Sequence, residues 1–208
     1  MGAANLTTHL PIIQVLEKAG TTPFTSAQPE KAGQTFVSGA PVQLNAGFVQ
    51  EWDGATVNAA ILGVSESFGQ NLGSNGLGAP VPPFGGITGV GAIQTYGSVP
   101  NQPNAVNIAL GTPIADGRTL YIEPNNANIF EALFDNSNGA VAADYTPTQA
   151  QIGTNFGMTK DANGFWYVDG NKTGGSAIVQ FVAFNPLYGS QVNAPVRFVF
   201  LAAAIQVN

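Results

Sequence analysis

Short stretches of alternating apolar and polar residues fill most of this chain, separated by Gly, Pro and Asn instead of continuing into helical faces. From Gly33, the apolar positions Phe36, Val42, Leu44 and Phe48 alternate with Gln43, Asn45 and Gly47. Trp52 and the Asp53-Gly54 turn follow, and the pattern predicts a hairpin with one wet face. Residues 60–64 (Ala-Ile-Leu-Gly-Val) are uninterrupted by polar groups, which predicts a strand buried on both faces. Residues 119–122 and 129–134 predict two more strands, the second closed by Asn138-Gly139. Residues 146–153 carry a Thr cap, Pro147 in the first turn and a closing Gly153, and predict a short helix. Residues 156–158 and 165–168 flank Asn163-Gly164 as a hairpin, and residues 178–184 and 196–202 supply the last strands. The expected fold is all-β, a small β-barrel or a β-sandwich of jelly-roll type.

Two regions break this rhythm. Residues 1–32 are polar and Pro-punctuated except for Leu10, Ile12, Ile13, Val15 and Leu16, a run closed by Gly20. It reads as an extended N-terminal arm that docks on a neighbour, or else covers its own barrel. Residues 70–113 form a neutral, Gly- and Pro-rich insertion in the single β domain of residues 33–208. They retain Val81, Phe84, Ile87, Ile93, Tyr96 and Val106, which is too much apolar material for a solvated linker. The insertion therefore reads as an ordered excursion resting on a neighbour.

Composition sharpens the picture. Only 9% of the 208 residues are charged, and no Asp, Glu, Lys, Arg or His occurs from Ser67 to Ala115. Soluble domains carry about a quarter charged residues, so surfaces of this chain are expected to end up against other protein. The 6 basic residues and net charge of −6 leave no electrostatic footprint for a nucleic-acid backbone. The longest apolar stretch, residues 198–205, is too short to span a bilayer, and neither a secretory signal nor a lipidation motif is legible at the N-terminus. The expectation is no nucleic-acid and no membrane partner.

Candidate chemistry is sparse. There is no Cys, and the single His9 sits in the arm far from an orienting acid, so neither a thiolate metal site nor a nucleophile-His pair is expected. Glu51 with Asp53, or Glu123 with Glu131, would be the carboxylate pairs of a hydrolase. However, Asp53 and Asp116 precede Gly in turns, and the three Glu residues are spaced as wet-face strand positions. Residues 135–139 place their Gly one position early for the calcium loop and lack its closing Glu, and Gly76 and Gly78 precede prolines instead of a helix. No cofactor or metal is expected. Trp166 and Tyr167 would form the sugar platform of a carbohydrate-binding β-sandwich, although alternation assigns at least one side of that strand to the core.

Residues 32–44 (AGQTFVSGAPVQL), then 47–52 (GFVQEW), then 61–65 (ILGVS) resemble the opening of head cement, or decoration, proteins of tailed bacteriophages. The later order is similar too: a strand near Phe130, Ile152-Gly153, Phe156-Gly157, the Trp166 hairpin and a closing strand at residues 196–200. The resemblance covers most of residues 32–69 and 119–202 and departs from the family layout at the long neutral insertion. It implies a homotrimer on the outer capsid surface of a virion, with the major capsid protein as partner and no catalysis. Contacts are expected from Leu10, Ile12 and Ile13 in the arm and from Phe84, Ile87 and Tyr96 in the insertion. A sugar-binding module for host attachment, or another phage head or tail structural protein, is the alternative.

Overall fold

The computed structural model describes residues 11–17, 25–31, 34–66, 118–124 and 128–206. Leu10, His9, Phe84, Ile87, Tyr96 and Asp116 lie outside them, as does the insertion at residues 70–113. The described chain is all-β, with helical structure only in four 3₁₀ turns of three or four residues. The strands are β1 (Ile13–Glu17), β2 (Thr25–Pro29), β3 (Pro41–Asn45), β4 (Phe48–Glu51), β5 (Gly63–Ser65), β6 (Arg118–Ile122), β7 (Asn128–Asp135), β8 (Asn155–Lys160), β9 (Trp166–Asp169), β10 (Val179–Phe184) and β11 (Pro195–Phe200).

Strands β7, β11, β10, β8 and β9 follow one another around a ring, and a parallel pairing of Phe134 with Val168 and Asp135 with Asp169 closes β9 back onto β7. The result is a closed five-stranded barrel, to which β1 adds along the first half of β7. Closure removes free edges from the ring. Alternation fills its interior: Val196, Phe198 and Phe200 point inward from β11, while Arg197 and Val199 are half-buried. Phe130 lies 6.0 Å from Phe198 and 5.3 Å from Phe200, and Phe134 meets Phe156 edge-on at 5.8 Å. These offset and edge contacts are the arrangements that aromatic quadrupoles favour.

A second sheet runs in the order β2-β6-β5-β3-β4, and a parallel bridge from Glu30 to Val49 brings the end of β2 back beside β4. Its central strand β5 is wholly buried, as the apolar run at residues 60–64, which it overlaps, predicts. Gly63 is required there: a Cβ would stand 2.5 Å from the Tyr121 ring and 2.6 Å from the Ile122 carbonyl oxygen. One apolar cluster spans both sheets, from Val42, Val49 and Tyr121 to Phe130, Phe181 and Phe198. The last described residues staple them together. Ile205 bridges to Ile61, and the Gln206 amide both accepts from the Leu44 N–H (2.7 Å) and donates to the Leu44 carbonyl (3.1 Å).

Of the two readings of residues 1–32, the described part fits the one in which the run covers its own barrel: residues 13–17 and 25–29 are sheet, paired with β7 and β6, and Ile12 is only 3% exposed within the chain's own core. Two expectations need correction. Phe48 is the exposed partner of Asn45, whereas Val49 takes the inward place opposite Leu44. The cause is the two-residue turn at Ala46-Gly47 (φ 52° and 86°), which switches the inward positions from even to odd numbers. The expected helix at residues 146–153 shrinks to a 3₁₀ turn at Gln149–Gln151, where the Gln151 side chain accepts the Thr148 N–H.

Candidate contact surface

The described residues leave few large apolar side chains in solvent, and most of these gather on two neighbouring connections. Leu187 is 85% exposed, Val192 49% and Tyr188 48% in the loop between β10 and β11, and Val141 is 58% exposed in the connection from β7 to β8. The two connections are tied together: the Asn193 N–H donates to the Tyr145 carbonyl (2.8 Å), and the Ser190 hydroxyl donates to the Pro147 carbonyl.

Buried polar groups fix this loop end from below. The Asn185 amide donates to Glu131 Oε1 (2.8 Å), its side-chain oxygen accepts the Leu187 N–H (2.8 Å), and its carbonyl accepts from Tyr188 and Gly189. At the other end of the loop, the Asn193 amide donates to the Phe134 carbonyl (3.1 Å) and to Asp135 Oδ1 (3.2 Å). Arg197 adds an ion pair to Glu131 at 3.4 Å. Glu131 is therefore buried beneath the loop, not a wet-face residue as its spacing predicted. A loop anchored at both ends holds its apolar tips outward at little further entropic cost on binding.

Charge is almost absent from this end. Residues 136–154 and 185–196 contain one charged side chain, Asp144. The N–H groups of Ala140 and Val141 donate to its Oδ2, and these bonds hold its carboxyl below the ordinary carboxylate value. Interface centres are depleted of charge in the same way. Leu187, Tyr188, Val192 and Val141 were not legible as contacts in the sequence. Asn185-Pro186 and Gly189 signal only a turn, and the available clue was several apolar residues inside a turn that has no charge.

The residues singled out for chemistry are placed otherwise. Trp166 is 4% and Tyr167 1% exposed, so neither offers a face to a sugar. The Trp166 indole packs on Trp52 and donates to Glu51 Oε1 (2.9 Å), while Lys160 reaches Glu51 Oε2 at 2.9 Å. Burial and the nearby carboxylates of Asp169 and Asp135 push the Tyr167 hydroxyl well above its ordinary pKa. Asp53 is a turn residue: burial alone would raise its carboxyl, but the N–H groups of Thr56 and Ala55 and the Thr56 hydroxyl outweigh that and lower it. Glu51 and Asp53 thus serve different partners, and Glu131 serves Asn185 and Arg197. Among the described residues no group of three His, Cys, Asp or Glu side chains is arranged to hold a metal, and no helix is long and apolar enough to cross a membrane. No family model, curated protein or solved structure matches this chain.

Proposed function

We propose that this chain is a structural virion protein, a cement subunit that binds the outer surface of a tailed-bacteriophage head and bridges neighbouring major capsid proteins. The observation that carries the reading is the nearly charge-free loop end, anchored at Asn185 and Asn193, with Leu187 at its tip. A protein that works by contact needs an apolar area that stays exposed until its partner arrives. The low charge of the whole chain points the same way, because dense surface charge would oppose close packing on a shell. Mass action supplies the mechanism: a subunit that binds the assembled shell and not its dispersed parts stabilises assembly in proportion to its occupancy. Homotrimeric arrangement on the shell belongs to the same proposal.

The test is cryo-electron microscopy of heads of the encoding phage, assembled without the chain and then incubated with it. The expected result is added density at regular positions on the outer face. Heads that remain bare at saturating concentrations overturn the proposal.

A further inference from the structure

We infer that the loop end of residues 136–154 and 185–194 takes a protein surface that presents a basic side chain, best an arginine, among apolar groups, and that Asp144 selects it. The inference rests on reading that end as the contact surface for a shell, and names what the shell must present there.

Asp144 is the one charged residue of this end. The N–H groups of Ala140 and Val141 both donate to its Oδ2, at 2.8 and 3.1 Å, and keep the carboxyl ionised into the acid range. Its Oδ1 accepts no hydrogen bond among the described residues, and the carboxylate faces solvent. The apolar tips lie beside it. The carbonyl of the next residue, Tyr145, accepts the Asn193 N–H at 2.8 Å, and Asn193 directly follows Val192. Val141, whose N–H shares Oδ2, is 58% exposed.

A partner that covers Val192 and Val141 must therefore also strip water from Oδ1. An ionised carboxylate left without a donor in a dry interface is costly, and a cation offsets that cost best. Arginine suits the setting because its guanidinium is weakly hydrated and offers a carboxylate N–H groups in a fixed fork. Two other occupants fit worse. A second copy would bring a like carboxylate and another net charge of −6. A purely apolar surface would bury Asp144 without a partner.

Cosedimentation with heads of the encoding phage lacking the chain tests this. Asp144→Asn keeps an oxygen for the two N–H groups and removes the charge, while Glu66→Gln removes an exposed charge just after β5, on the other sheet, and controls for net charge. Wild type and Glu66→Gln are expected to bind alike, and Asp144→Asn at least about tenfold more weakly. Added salt should bring the first two toward the third. Val141→Lys sets a competing cation beside Asp144 and is expected to weaken binding similarly should Asp144→Asn fold poorly. Asp144→Asn or Val141→Lys binding as well as Glu66→Gln overturns the inference and spares the cement reading. Heads left bare by wild type overturn the cement reading instead. A matrix carrying both alkyl and guanidinium groups then decides the inference alone: Asp144→Asn eluting before Glu66→Gln supports it, and coincident elution overturns it.

Discussion

Trp52 and Trp166 meet across the junction of the two sheets, their ring centroids 4.9 Å apart and their planes tilted by 37°. Glu51, next to Trp52 in sequence, accepts the Trp166 indole N–H and pairs with Lys160, so one carboxylate ties β4 to both β8 and β9. Glu51→Ala leaves the buried indole N–H without this acceptor and is expected to cost about 1–3 kcal/mol. Glu51→Gln keeps an acceptor and forfeits mainly the pair with Lys160, whose side chain is 41% exposed, so its cost should be under about 1 kcal/mol. Urea unfolding of both variants checks the order, and near-ultraviolet circular dichroism reports the indole pair.

Phe198 is fully buried and touches both Phe130 and Phe200 in the barrel. Phe198→Ala is expected to destabilise by about 3–5 kcal/mol, through lost burial and the cavity left behind. A loss under about 1 kcal/mol in denaturant titration would contradict a close-packed barrel interior.

Tyr167 sets an alkaline limit. Its ordinary pKa is 10.0, and the folded chain raises it through burial and the charges of Asp169 and Asp135, against a smaller opposing hydrogen bond with Thr159. The raised value means that the unfolded chain loses this proton first. The contribution to stability is thus full below about pH 10 and is lost as pH climbs beyond it. Tyr167→Phe is expected to flatten the fall in stability above that pH, measured by chemical denaturation at stepped alkaline pH.

Deleting residues 1–20 removes β1 from the edge of β7 and empties the place of Ile12 in the core. The loss of Ile12 alone is expected to cost about 2–5 kcal/mol. Calorimetry should show a clearly lowered melting temperature. An unchanged melt would mean that this segment contributes nothing to the chain's own fold.

Local signals in the sequence translated well into strands. Asn163-Gly164 closes the β8–β9 hairpin, Asn138-Gly139 follows β7, and the apolar run at residues 60–64 leads into the buried central strand of the second sheet. What stayed open or failed depended on distant partners. Residues 12–17 read equally as an arm or as cover for the chain's own barrel, because their sheet neighbour, β7, lies more than a hundred residues away and no local pattern announces that pairing. Glu131 looked wet because alternation cannot see a loop from residues 185–194 folding over it. Trp166 and Tyr167 read as a sugar platform, yet both are buried, and the Trp166 ring packs on Trp52 of the other sheet. The exposed apolar patch was the least legible part: exposure of Leu187 follows from the anchors at Asn185 and Asn193, and only the folded barrel brings those to Glu131 and Asp135.

The central claim, that the chain stabilises a phage shell by binding it, is tested most directly by the temperature at which heads release their DNA. Heads of the encoding phage lacking the chain would be heated with increasing amounts of it while DNA release is followed with an intercalating dye. The account predicts a release temperature that rises with chain concentration and then saturates, as binding to the assembled state alone requires. A release temperature that does not move at any concentration would contradict it.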